Sequence, residues 1–126
     1  MRILIIGAGD IGLQLARRLS NAQHDLTVIE MDIEKVQRLR ERVDAFVLEG
    51  SGTSYRILQH AQAESMDLVA AVTDNDEVNL LSCRIAKKMG VPTTIARVRN
   101  TEFTDNAFVL TPEELGVDHI IHPEVE

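Results

Sequence analysis

The stretch GAGDIG, residues 7 to 12, constrains this chain more than any other. Its three glycines follow the apolar run ILII (3–6). They precede an amphipathic run in which Ile11, Leu15 and Leu19 recur every four residues. A strand that turns sharply into a helix uses one glycine at the turn and a second where a ligand approaches the backbone. A third lets the helix pack close to the strand. Gly7, Gly9 and Gly12 fall in those three places. Such a turn aims free N–H groups and the positive end of a helix dipole at one point, which favours a bound phosphate.

The rest of the chain repeats the same alternation. Short β-rich runs recur at ILII (3–6), LTVIE (26–30), AFVLE (45–49), LVAAV (68–72), TTIARV (93–98) and HIIH (119–122). Unbroken apolar runs suit strands that are covered on both faces. Helical stripes lie between them: Ile33, Val36, Leu39 and Val43, then Val78, Leu81, Ile85 and Met89. Residues 53–61 form a weaker helix, and TPEEL (111–115) a short one with Thr111 as cap and Pro112 at the first position. The pattern predicts an α/β fold, a Rossmann-type doubly wound parallel sheet of about six strands in the order 3-2-1-4-5-6. Aromatic residues are 3% and Trp is absent, so the core must be aliphatic.

In such a sheet a ligand lies outside the carboxyl ends of the strands. Glu30 ends the second strand, about 20 residues beyond the glycine turn, where an acid accepts from the hydroxyls of an adenosine ribose and repels a 2′-phosphate. The expected ligand is therefore NAD(H) or another plain adenosine nucleotide. The alternative is a solvated carboxylate at a strand end. Loops 49–54, 72–79 and 96–100 border the same crevice and bring Thr73 and Asp74 to it. Arg97 is the one cation expected there, meeting a phosphate, with Arg99 on the other face of its strand. Asp32 is expected to cap the second helix, and Asn75 or Asp76 the helix that carries Val78.

Charge and composition narrow the function classes. A net charge of −7 argues against nucleic acid and anionic lipid as partners. No apolar run is long enough to span a bilayer and no signal peptide is visible, so a cytoplasmic location is expected. The single cysteine, Cys83, suits a buried core position. His24, His60, His119 and His122 lie away from any loop suited to hydride chemistry, and His119, His122 and Glu124 make a poor metal set. No nucleophile elbow or P-loop occurs, and no catalytic residue is expected. The reading is a nucleotide-sensing module; the rivals are the coenzyme half of an NAD-dependent oxidoreductase and a methyltransferase.

GAGDIG, TVIEMD, EGSGT, AVTDNDEVNLLSCRIAKK, IARVRN and HIIHPE together resemble the regulatory subunits of bacterial Trk/Ktr potassium uptake systems, specifically their N-terminal RCK (KTN) domain. The resemblance covers nearly the whole chain, and AVTDNDEVN with IARVRN is its most specific part. It implies a cytoplasmic protein on a membrane potassium transporter subunit. It also implies NAD(H) or ATP/ADP in the crevice, and assembly as dimers or larger rings that gate transport. By the same resemblance the nucleotide meets Gly7, Ala8, Gly9, Asp10 and Ile11, with Gly50 and Ser51 near the adenine. Some ATP-binding relatives carry Arg where this chain has Asp10, which favours NAD(H). Family members continue into a crossover helix and a C-terminal domain, so residues 1–126 are expected to be one domain of a longer protein.

Overall fold

The computed structural model describes residues 1–122. Glu124, the third member of the weak metal set, lies outside them. Six strands form one parallel sheet: β1 (Arg2–Ile6), β2 (Asp25–Glu30), β3 (Phe46–Glu49), β4 (Leu68–Ala71), β5 (Thr93–Arg97) and β6 (His119–Ile121). Their order is β3-β2-β1-β4-β5-β6, as the alternation predicts. Five α-helices connect them: α1 (Asp10–Asn21), α2 (Ile33–Arg42), α3 (Tyr55–His60), α4 (Asp76–Lys88) and α5 (Pro112–Leu115). Short 3-10 turns at Ala63–Ser65 and Thr101–Thr104 complete the connections.

Two aliphatic clusters explain the unbroken apolar strands. Ile3 and Ile5 of β1 join Leu26, Val28, Val36 and Leu39 on one face, beneath α1 and α2. Leu4 and Ile6 point the other way and join Ile29, Val69, Leu80, Cys83 and Ala86 beneath α3 and α4. Successive residues thus fill opposite cores, and a strand that feeds both has no polar position to spare. Removal of this much apolar surface from water is the main drive of the fold.

Local signals hold at the helix ends. The Asp32 carboxylate accepts from the Glu34 N–H at 2.9 Å, and Asn75, rather than Asp76, caps α4 by accepting from the Val78 N–H at 3.0 Å. Thr111 and Glu114 form a reciprocal capping box with Pro112 at the first turn, and Gly116 ends α5 at φ 75°. The inner face of α4 departs from expectation. Leu81 is 51% exposed, and the buried side is Asn79, Leu80, Ser82, Cys83 and Ala86. Small side chains let α4 lie close to the sheet, while Ile85 and Met89 pack only at its flanks. Ile33 is likewise exposed at the start of α2, ahead of buried Val36 and Leu39. Cys83 is fully buried, and that burial pushes its thiol up to about 12. The Asp118 carboxyl is held below its usual range by the Lys87 ammonium, 2.6 Å away, which ties α4 to the edge of β6.

Candidate functional site

The sheet order reverses at β1, which lies between β2 and β4. Chains leaving β1 and β4 diverge there, so the carboxyl ends of Ile6, Ile29 and Ala71 open onto a crevice of about 610 Å³. That volume suits a nucleotide-sized ligand.

The glycine turn forms the floor. Gly7 adopts φ +103°, and a Cβ on it would lie 2.8 Å from the Thr73 methyl. Both facts demand glycine. A Cβ on Gly12 would run into the Gly7 carbonyl, so the third glycine lets α1 close onto the turn itself. Gly9 is different: a Cβ there would meet nothing within 4 Å. The middle glycine therefore faces open crevice. It is also the N-cap of α1 and offers no side-chain cap, whereas α2, α3, α4 and α5 are each capped by a side chain. The first-turn N–H groups of α1 have no such internal acceptor and the dipole end faces the crevice.

The two ends of the crevice are held by two buried polar side chains. Glu30 is 8% exposed, and its carboxylate accepts from the Ala8 N–H at 2.6 Å and the Asp32 N–H at 2.8 Å. It brackets the glycine turn to the start of α2, and each oxygen retains acceptor capacity toward a ligand hydroxyl. Asn79 is fully buried at the other end. Its Oδ1 accepts from the Thr73 N–H at 2.9 Å and the Thr73 hydroxyl at 2.6 Å. Its Nδ2 donates to the carbonyls of Thr73 at 3.0 Å and Arg97 at 2.8 Å. One side chain thus fastens the end of β4 to the end of β5. Arg97 adds a bond from Nη1 to the Thr73 carbonyl at 3.0 Å, while its buried Nε has no partner among the described residues.

Ten of the twelve expected site residues border the crevice: Gly7, Ala8, Gly9, Asp10 and Ile11 on the turn, Glu30, Gly50, Thr73, Asp74 and Arg97. Gly12 and Ser51 do not. Gly12 packs behind the turn, and the Ser51 hydroxyl is spent on Thr53, 2.8 Å away within its own loop. Gly52, its neighbour, takes the lining position.

Known proteins are similar to this chain over almost its whole length. The TrkA-N domain family matches residues 3–123. The chain belongs to that family. It is 41% identical over 125 residues to a Trk system potassium uptake protein TrkA homolog of Archaeoglobus fulgidus, covering 99% of this chain and 28% of the relative. It is 36% identical over 126 residues to the Trk system potassium uptake protein TrkA of Haemophilus influenzae, covering 98% and 28%. The chain therefore spans little more than a quarter of the length of these curated relatives. Among solved structures, the TrkA-N domain of the inner membrane protein ybaL from Escherichia coli superposes with a TM-score of 0.83 at 23% identity, covering 98% of this chain and 87% of that one. The GsuK channel bound to NAD gives 0.79 at 21% identity, covering 95% and 21%. GsuK bound to ADP gives 0.78 at 21%, covering 96% and 31%. At these identities the structural likeness carries the fold alone.

The TrkA-N domain also holds residues that the sequence reading passes over. Arg97 is not the only cation at the crevice: Lys35 and Arg38 of α2 border it too. Their spacing of three puts them on one helix face, a signal present in IEKVQR but easily taken for a solvated surface. Asn79 was legible only as part of a motif, since an Asn inside a helix has no periodicity to mark it as buried. Arg99 does not sit on the opposite face of β5: residues two apart on a strand share a face, and the strand ends at Arg97. Its backbone N–H and that of Asn100 donate to the Asp76 carboxylate at 2.9 and 2.7 Å, and Arg99 borders a separate shallow groove. His122 Nδ1 lies 3.2 Å from the Val98 carbonyl, and no group of three His, Cys, Asp or Glu side chains fit for a metal occurs among the described residues. No described helix is long and apolar enough to cross a membrane.

Proposed function

We propose that this TrkA-N domain binds an adenosine nucleotide in the crevice, NAD(H) foremost and ATP or ADP next, and that occupancy regulates a membrane potassium transporter. The observation that carries the reading is the uncapped N-terminus of α1 beneath the open face of Gly9. A pyrophosphate placed there receives first-turn N–H groups and the helix dipole. Glu30, with acceptor capacity left, meets the ribose hydroxyls, and Arg97, which borders the crevice, brings positive charge to the far end. Asp10 opens α1, where the resemblance gives some ATP-binding relatives an Arg, and an acid there favours NAD(H).

The regulatory part of the reading draws on the potassium uptake relatives and on the GsuK channel bound to NAD and GsuK bound to ADP. The domain acts as a sensor rather than a catalyst, on the cytoplasmic face, with a transporter subunit as partner. Further copies of the chain complete a dimer or ring, and the whole protein extends beyond this domain. A ligand gates such an assembly only if it binds two geometries with different affinity.

A melting-temperature panel with NAD, NADH, ATP, ADP and S-adenosylmethionine tests the reading. A ligand at about 100 times its Kd adds about 2.7 kcal/mol of stability. Stabilisation by NADH or an adenine nucleotide supports the proposal. A response to S-adenosylmethionine alone, or NADH turnover with added carbonyl substrates, would overturn it.

A further inference from the structure

The crevice is electrically lopsided. Carboxylates of Asp10 and Asp74 border it beside the glycine turn and the β4 loop, while Lys35 and Arg38 border it at the α2 end. Neither cation has a hydrogen-bond or ion-pair partner among the described residues, unlike Arg40 of the same helix, whose Nη2 donates to the Val47 carbonyl at 3.0 Å. Glu30 stands between the two ends and keeps its negative charge, which two backbone N–H groups stabilise. A strand-end carboxylate alone repels a ribose phosphate, but cations close by offset that charge. Here Glu30 is followed, one and two helical turns on, by two cations that border the same crevice.

We infer that Lys35 and Arg38 form a subsite for a second phosphate, carried on the ribose of the bound adenosine. This inference rests on the nucleotide reading of the crevice and departs from the expectation that Glu30 turns such a phosphate away. The i, i+3 spacing presents both cations to one anion. Their flexible stems let the heads converge on it, and Arg offers two parallel donors where Lys offers a point charge. An adenosine that carries such a phosphate then gains a contact that AMP lacks.

The test compares AMP with adenosine 2′,5′-bisphosphate and adenosine 3′,5′-bisphosphate, titrated calorimetrically into the whole chain. Each bisphosphate differs from AMP by one phosphate. Charged hydrogen bonds of this kind correspond to about tenfold in affinity or more. At least one bisphosphate should bind about tenfold tighter than AMP. That gain should vanish in the double variant K35A/R38A, whose changes lie outside the core and whose fold is checked by circular dichroism. AMP binding without a gain from either isomer overturns the subsite and leaves the nucleotide reading standing. A gain that survives in K35A/R38A overturns the assignment to these two residues. If all three probes fail to bind, the nucleotide reading falls and the subsite with it.

Discussion

Asn79 and Glu30 are both buried polar side chains, and each holds one end of the same crevice, yet they are finished to different degrees. Asn79 has four hydrogen bonds at 2.6 to 3.0 Å, two accepted by its oxygen and two donated by its nitrogen. Its capacity is used up. Glu30 accepts two and could accept more. The β4–β5 end is therefore a closed scaffold, while the β2–α2 end is built to exchange partners. A site whose far wall is fixed and whose near wall has spare acceptors can fit a ligand without re-forming the sheet.

The sharpest way to break this comparison is Asn79→Leu. The change keeps volume but removes the acceptor of the Thr73 N–H and the Asn79 donor to the Arg97 carbonyl, and leaves the Thr73 carbonyl with Arg97 Nη1 alone. A buried polar group left without a partner costs about 1–3 kcal/mol, so the summed loss should be about 3 kcal/mol or more in a urea titration. A loss below about 1 kcal/mol would mean that water replaces the side chain and that this wall is not fixed.

Glu30→Gln should cost less. The side-chain oxygen can still accept one of the two N–H groups, but the amide then faces the other, donor to donor. About 1–2 kcal/mol of stability should go, together with NADH affinity, because the ribose loses its charged acceptor. Unchanged stability with lowered affinity would sharpen the contrast differently. Glu30 would then be a ligand group first and a bracket second.

How much of this was legible in the sequence follows from the kind of force at work. Strand order, helix caps and the glycine turn were readable because each depends on local spacing: alternation of apolar runs, Asp or Thr before a helix, Gly at positions one, three and six. The inner face of α4 was not. Its stripe of large apolar residues suggested Leu81 inside, but the sheet accepts Cys83, Ser82 and Ala86 because they let the helix approach. Asn79 and the pair Lys35 and Arg38 were missed for a related reason. Their roles depend on what β5 and β2 bring next to them, and no periodicity along the chain encodes a neighbour across the sheet.

Gly9→Ala carries the smallest expected effect on the fold and separates the turn's two duties. The residue sits at φ −69° and ψ −164°, which alanine adopts freely, and a Cβ there would meet nothing within 4 Å. Stability should stay within about 0.5 kcal/mol of the parent, since nothing packed is disturbed. The added methyl group nevertheless stands where a pyrophosphate would approach the backbone, so NADH affinity should fall about tenfold or more. Gly12→Ala gives the contrasting control, because its Cβ would strike the Gly7 carbonyl and disturb the turn with or without ligand. If Gly9→Ala binds NADH as the parent does, the phosphates do not lie over the turn. The open face of Gly9 would then be a gap in packing, and the ligand would have to be held by the two ends of the crevice alone.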